Sequence, residues 1–329
     1  MDWSREPASG FAKLLPRQKD LIMALSTEFF TVIIPTYNRA NLIGLTLESV
    51  LAQTFPDFEL LVIDDGSTDH TAQLVRRYAD PRLRYLPKQN EERGAARNYG
   101  LARARGEYVL FLDSDDRLHP NHLSVLRAAI AAQDTPPNFI ATKYDFDREG
   151  QRRPSDLAPL PAGPLGFETF IGGNVLACNV CVRRLNPALF KFEEDRRYAA
   201  VEDWLFLLQN TQHGEAVHLV DAVTLTMNDH DQRSMRADNE GLIRRLELAA
   251  GWMQRHLALT ADQRRRLLGR VYYLCAIHAY ADGHRRAALA YARRAAPGLS
   301  LRTTVVLLLR SLLGAGLVGL LKKQGVGAD

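Results

Sequence analysis

Residues 107–116 read Glu107-Tyr108-Val109-Leu110-Phe111-Leu112-Asp113-Ser114-Asp115-Asp116, an apolar run that stops abruptly at three carboxylates. A short, continuous apolar stretch of this kind suits a strand buried on both faces of a sheet. The acids that follow it are too costly to bury unpaired, so they are expected at the strand's carboxyl end, facing a ligand. Strand side chains alternate, which predicts Asp113 and Asp115 on the same side, with Asp116 pointing elsewhere and supporting the turn.

Working outward, the same arrangement recurs twice upstream. FFTVIIP (29–35) runs into Thr36-Tyr37-Asn38-Arg39, and FELLVID (58–64) runs into Asp65-Gly66-Ser67. Between and after these strands the apolar period changes to that of helices. Asn41 is the expected cap of a helix carrying Leu42, Ile43, Leu45, Leu47, Val50 and Leu51. Further helices are expected at 69–78, 94–105 and 119–133, and further strands at 82–87 and 138–146. This order predicts an α/β fold, a mostly parallel sheet with helices on both faces. Ligands of such sheets sit beyond the carboxyl ends of the strands. The polar clusters at 35–39, 64–67 and 113–116 all lie there, and their convergence predicts a nucleotide site.

Composition sets the outer bounds. The chain has 329 residues, 46% apolar and 24% charged, which is ordinary for a globular protein and excludes global disorder. Three cysteines, Cys178, Cys181 and Cys275, form no even disulfide framework and fit a reducing compartment. Cys178 and Cys181 make one C-x-x-C pair with no second pair or His-x-x-x-His to complete a zinc site, so they read as buried strand cysteines. Residues 1–28 lack a continuous apolar core, do not read as a secretory signal, and are expected to be an extension before the first strand. Charge is uneven: 29–150 hold 14 basic and 17 acidic residues, whereas Gly241 to Arg310 hold 13 arginines against Glu247, Asp262 and Asp282.

Five motifs stand in order: Pro35-Thr36-Tyr37-Asn38-Arg39, Val62-Ile63-Asp64-Asp65-Gly66-Ser67, Gly94-Ala95-Ala96-Arg97-Asn98, Gly106-Glu107-Tyr108 with the Asp113 cluster, and Glu202-Asp203-Trp204. Together they resemble the family 2 glycosyltransferases, which have the GT-A fold, over roughly 29–235. The resemblance implies an inverting transfer of a sugar from a nucleotide diphosphate donor, a UDP-sugar favoured, to an acceptor hydroxyl. Asp113-Ser114-Asp115 is similar to the D-x-D motif, with Asp115 as the Mn²⁺ or Mg²⁺ ligand and Asp113 reaching the ribose or a metal-bound water. Hard divalent ions take carboxylate and phosphate oxygens, and a diphosphate leaving group needs such a counter-charge. Asp65 matches the residue that accepts a hydrogen bond from the base, with Pro35, Thr36 and Tyr37 around it. Arg97 matches a position near the donor diphosphate or sugar. Glu202 and Asp203 match the acidic pair on the acceptor side, with Asp203 as general base, ionised at neutral pH, and Glu202 positioning acceptor or structure. His230 matches a place where relatives carry a His or Arg near the diphosphate, and is assigned as a third metal ligand. Asp64 and Ser67 are assigned only turn and cap roles.

A dehydrogenase would need G-x-G-x-x-G after the first strand, and a nucleotidyltransferase a Gly-rich loop with a Lys or Arg; neither occurs. The alternative of another class is a non-catalytic sugar-nucleotide-binding scaffold. Three segments are expected at 1–28, 29–237 and 238–329, the middle one the GT-A domain and the last purely helical, with Gly283 as a helical hairpin turn. A Pro- and Gly-rich stretch at 147–170 is expected to be a loop at the site mouth, followed by a strand pair at 174–184, a helix at 202–212 and a strand at 217–227. Arg310 divides the apolar stretch 301–323, and a charge at mid-bilayer costs at least ~2.5 kcal/mol, so an interfacial helix on an anionic membrane surface is favoured over a span. Partners are then a nucleotide-sugar, a glycan or lipid-linked acceptor in envelope polysaccharide synthesis, and no nucleic acid. The expected location is cytoplasmic, at the inner face of the membrane.

Overall fold

The computed structural model describes residues 28–230 and 238–323, with side chains to 312. The expected 1–28 extension therefore lies outside the described residues except for Glu28, as do residues 231–237 and 324–329.

The apolar runs become strands where expected. Strands β1 (Phe30–Thr36), β2 (Phe58–Asp64) and β4 (Tyr108–Phe111) are buried along their whole length, and β3 (Leu83–Pro87) lies at the edge. β1 pairs in parallel with β2 and with β4, and β2 with β3. Helices α1 (Ile43–Leu51), α2 (Thr71–Val75), α3 (Glu92–Leu101) and α4 (His122–Ala131) connect them. Because β2 lies on one side of β1 and β4, entered from β3, on the other, the strand order reverses at β1 and opens a crevice at its carboxyl end.

The second half of the sheet departs from the parallel expectation. The order is β3-β2-β1-β4-β9-β6-β10-β5, with β9 (Cys181–Arg183) antiparallel to both β4 and β6 (Phe139–Arg148). β10 (Val217–Asn228) runs parallel to β6, and the two-residue β5 (Arg117–Leu118) is antiparallel to β10. The stretch expected as a loop at 147–170 folds in part: β7 (Gln151–Pro154) makes a hairpin with β6, β8 (Gly163–Leu165) pairs with β10, and α5 (Phe167–Ile171) follows. Of the strand pair expected at 174–184 only β9 forms; Cys181 is in it, whereas Cys178 lies in the turn before it, both buried and free. Helix α1 starts at Ile43 with Leu42 at its N-cap and no side-chain cap, so Asn41 does not play that role.

Helix α6 (Glu202–Thr211) buries Trp204, Leu205, Phe206 and Leu208 beneath the sheet and carries the acidic pair at its first turn. Its Trp204 indole N–H donates to the Phe170 carbonyl of α5 at 2.7 Å. Beyond it come α7 (Asn239–His256), α8 (Ala261–Ala281), α9 (Arg285–Ala295) and α10 (Leu301–Lys323). Gly283, at φ +77°, makes the tight turn between α8 and α9 as expected. Leu242, Leu246, Trp252 and Val271 of this helical region belong to the same apolar core as the sheet residues. Packing is therefore continuous across residue 238.

Candidate active site

The ends of β1, β2 and β4 open into a cleft of about 650 Å³. Pro35, Thr36 and Tyr37 at the end of β1, Asp65 after β2, Arg97 on α3, Asp113, Ser114 and Asp115 after β4, and Glu202 and Asp203 on α6 all line it. His230 is not in the lining but contacts it through Asp115. Carboxylates outnumber guanidinium groups in the lining eight to five, so an incoming diphosphate meets a cleft of its own sign unless a cation is present.

Two loops form the end of the cleft beside β1 and β2. Asn38 accepts from the Thr68 backbone N–H at 2.8 Å, and the Ser67 hydroxyl accepts from the Asn38 N–H at 2.9 Å, which ties the loop after β1 to the loop after β2. Ser67 thus joins loops, and Asp64 accepts from the Ser67 N–H as a turn residue should. Gly66 takes φ +83°, a conformation open to glycine. Asp65 accepts from Lys88 Nζ at 2.8 Å and from the Glu91 N–H at 3.0 Å, both at Oδ1. Oδ2 carries neither bond and is the oxygen left for a ligand donor. Tyr37 stands at the lip, 48% exposed.

The acidic cluster after β4 is a turn and not a continued strand: β4 ends at Phe111, and the Asp116 N–H donates to the Asp113 carbonyl at 3.1 Å. This corrects the alternation argument. Asp113 and Asp115 are brought together by chain reversal, and the same reversal brings Asp116 in, so that one oxygen from each of the three lies within 4.8 Å of the others. Asp116 also accepts from the Asn228 N–H of β10 at 3.0 Å, so it holds the turn as well. His230 Nε2, expected as a third ligand, lies 2.9 Å from Asp115 Oδ2 and is Asp115's hydrogen-bond partner, outside the group of three carboxylates. Carboxylate oxygens converging on one point suit a hard divalent ion.

Arg97 is turned inward. Its Nη1 donates to Glu202 Oε1 at 2.7 Å and its Nη2 to Asp113 Oδ1 at 2.8 Å, and the residue is 1% exposed. Where a contact with the donor is expected, the guanidinium is paired in this structure with two carboxylates of the protein itself. Glu202 is buried by the same pairing, whereas Asp203 is part-exposed to the cleft and accepts the Trp204 N–H at 2.8 Å. Although the side chain reaches the cleft, the protein packed around it strips most of its water, and this desolvation, then the adjacent Glu202, push the Asp203 carboxyl up to about 7 against the pull of Arg97, so the expectation of an unperturbed carboxylate is corrected. Burial likewise pushes the nearby Cys178 thiol well up, which keeps it neutral.

Several lining residues carried no usable sequence signal. Glu92 (φ +74°), Ala177 (φ +50°) and Ala200 (φ +72°) border the cleft in the left-handed region, where a Cβ is strained, and such strain concentrates at functional sites. Arg196 donates to the Asn90 side chain at 2.8 Å, and Arg153 lies 3.9 Å over the Phe146 ring. Both line the cleft, Arg153 from β7 and Arg196 from the short 3₁₀ turn Arg196–Tyr198.

Comparisons agree with this geometry. The sequence profile described as Glycosyl transferase family 2 matches residues 31–193. The Escherichia coli K12 protein WcaA, named as a glycosyl transferase of colanic acid biosynthesis, is 29% identical over 208 residues, 61% of this chain and 73% of WcaA. By contrast, the chain spans about a sixth of the length of three rickettsial glycosyltransferases that it also matches. Among solved structures, Staphylococcus aureus TarS residues 1–349 with UDP-GlcNAc superimposes with a TM-score of 0.63 at 21% identity, covering 92% of this chain and 93% of that one. A mannosyltransferase from Pyrobaculum calidifontis with GDP-Man and Mn²⁺ gives 0.56 at 19% identity, covering 86% and 79%. At these identities the likeness is one of fold, and that fold is GT-A. With the five motifs gathered at one cleft and the profile matched over residues 31–193, this part of the chain belongs to glycosyl transferase family 2.

Proposed function

We propose that the protein is an inverting glycosyltransferase that moves a sugar from a nucleoside diphosphate donor, a UDP-sugar in first place, to a hydroxyl of an envelope glycan or lipid-linked acceptor. The observation that carries this reading is the shared cleft: Asp65 at one end, the Asp113–Asp116 turn in the middle and Asp203 at the other. In this reading Asp65 Oδ2 accepts the N–H of the base beside Tyr37, Pro35 and Thr36. Asp115 and Asp113 hold Mn²⁺ or Mg²⁺, with His230 orienting Asp115 and Ser114 beside the donor. When bound, that ion supplies the positive charge that stabilises the departing diphosphate. Asp203 takes the proton of the acceptor hydroxyl as its oxygen attacks the anomeric carbon from the side opposite the diphosphate. Glu202, committed to Arg97, serves structure. The complexes of TarS with UDP-GlcNAc and of the Pyrobaculum enzyme with GDP-Man and Mn²⁺ support a nucleotide-sugar donor and a divalent ion. The name of WcaA supports an envelope polysaccharide.

The test is a panel of UDP-, GDP- and dTDP-sugars incubated with the protein, Mn²⁺ and simple glycoside acceptors. The expected result is nucleoside diphosphate release from one UDP-sugar and a product of opposite anomeric configuration by NMR. Retained configuration overturns the inverting reading. Tight binding without release in any combination supports the scaffold alternative.

The helical end of the chain extends the proposal to location: a cytoplasmic enzyme held on the inner face of an anionic membrane. Helix α10 packs on α8 and α9 through Leu307, and Ser311 is buried beside it. Its other side exposes Leu301, Val305, Leu309 and Leu312 together with Arg302 and Arg310. Positions 301, 305, 309 and 312 recur at helical spacing, so they form one apolar stripe edged by cations, the pattern of an in-plane interfacial helix. No helix among the described residues is long and apolar enough to cross a membrane. Co-sedimentation with phosphatidylglycerol vesicles is expected, weakening with salt and lost on deletion of 301–329. Binding unchanged by that deletion would remove the role. The segments 29–237 and 238–329 remain the proposed catalytic and attachment parts of one packed body, with 1–28 as a preceding extension.

A further inference from the structure

The Gly94-Ala95-Ala96-Arg97-Asn98 segment of α3 builds a rigid bridge under the cleft. A Cβ on Gly94 would stand 2.2 Å from the Glu193 carbonyl oxygen, so only glycine allows this approach. Asn98 closes the same contact from its next turn: its Nδ2 donates to the Phe192 carbonyl and its Oδ1 accepts the Phe192 N–H, at 2.8 and 3.0 Å. Between them Arg97 stacks 5.3 Å from the Phe192 ring and spans from Glu202 to Asp113. One buried guanidinium therefore joins the first residue of α6, which carries the acceptor-side acids, to the first acid of the turn after β4.

We propose that Arg97 is a positioning residue: it fixes Glu202 and Asp113 in one frame, withdraws Glu202 from proton transfer and leaves Asp203 as the single carboxylate facing the acceptor. This rests on the reading of Asp203 as base. The charge pattern supports it. Glu202 and Asp203 are adjacent on α6 and Asp113 stands near them from the turn after β4, so like charges crowd together. From α3, Arg97 pairs with two of these acids, while Arg93 stands 3.8 Å from Glu202 and is more exposed. Cys178 is the remaining titratable neighbour and is neutral. Contact with a donor phosphate would need an exposed guanidinium edge, yet the Arg97 side chain is 2% exposed and both Nη groups are already bonded. A lysine lacks the planar fork and reaches one carboxylate at a time.

The experiment compares Arg97→Gln, Arg97→Lys, Glu202→Gln and the double variant Arg97→Gln/Glu202→Gln with wild type. It measures kcat, the acid limb of the pH profile, and Mn²⁺–UDP affinity by calorimetry, with melting temperature as the fold control. Arg97→Gln is expected to lower kcat by roughly 10- to 100-fold and, because Arg97 also holds the Mn²⁺ ligand Asp113, to weaken Mn²⁺–UDP binding by no more than it lowers kcat. Its acid limb moves to higher pH, because Asp203 loses a nearby cation and keeps an anion. The double variant removes both charges, so the limb returns toward wild type and turnover recovers above that of Arg97→Gln alone. Arg97→Lys lies between. If Arg97→Gln does not fold, the charge-balanced double variant and Arg97→Lys carry the same comparison against Glu202→Gln. A tenfold loss of Mn²⁺–UDP affinity with near-normal kcat would make Arg97 a donor ligand and overturn the proposal. So would losses that simply multiply in the double variant. Failure of the base reading shows separately, as an Asp203→Asn enzyme that still turns over.

Discussion

Asp203→Asn lowers kcat by about 10²–10⁴-fold, the range that general base catalysis contributes, and leaves nucleotide affinity nearly unchanged. The separation follows from the geometry: Asp65 and the acidic turn stand at other strand ends and keep their own partners. The same substitution reports on pH. In the free protein the Asp203 carboxyl sits at about 7, so below that pH it is protonated and cannot accept the acceptor's proton. Wild-type kcat/KM should therefore fall as pH drops below about 7, by up to tenfold per unit, whereas the Asn variant's low rate stays flat across that limb. Stability moves the other way. A carboxyl whose folded pKa is raised binds its proton more tightly when folded, so above the ordinary carboxylate range ionisation favours the unfolded chain. That cost grows with pH until it levels off above about 7. Asp203→Asn removes it, so the variant should melt higher than wild type at pH 8 and at nearly the same temperature at pH 4. Near-normal turnover by the variant, or an acid limb that it still shows, would refute the assignment.

What the sequence revealed, and what it hid, follows from the range of the forces involved. Strands β1, β2 and β4 were legible because a buried parallel strand needs an apolar residue at nearly every position, and a run such as FTVIIPT announces this locally. The placing of acids at strand ends was legible for the same reason, since they interrupt those runs. The three-residue β9 was not. Its position between β4 and β6 is decided by pairing with Tyr108–Leu110 and Phe139–Ile140, far away in the chain. The Asp113 turn was misread as strand because nothing local says that β4 stops at Phe111; the antiparallel pairing of β5 with β10 pulls the chain back. The two internal ion pairs of Arg97 were hidden, because an arginine beside a donor motif suggests a phosphate contact. Its small neighbours Gly94, Ala95 and Ala96 were the available signal, since three small residues on one helical turn imply close packing and a buried side chain beyond. The perturbation of Asp203 was out of reach, as it arises from burial under elements that only the fold assembles.

Removing the divalent ion should abolish transfer. EDTA is expected to stop turnover and added Mn²⁺ or Mg²⁺ to restore it, because carboxylates outnumber arginines in the cleft and the leaving diphosphate adds further negative charge. Within the acidic turn the three carboxylates then separate by role. Asp115 offers an oxygen to the acidic cluster and is hydrogen-bonded to His230, so Asp115→Ala should cost at least ~10²-fold in turnover and weaken Mn²⁺ binding in parallel. Loss of an orienting partner is smaller, so His230→Ala should cost roughly 10–100-fold in Mn²⁺ affinity, with the protein still folded. Asp116 spends Oδ1 on the Asn228 N–H, so Asp116→Asn, which keeps an acceptor there, should retain most Mn²⁺ affinity. Electron paramagnetic resonance titration of free Mn²⁺ in the presence of UDP ranks the variants without requiring an acceptor. Turnover that survives full chelation would sink the metal role. An Asp116→Asn defect equal to that of Asp115→Ala would instead make Asp116 a ligand, and would mean that the turn closes around the ion more tightly than its hydrogen bond to β10 allows in this structure.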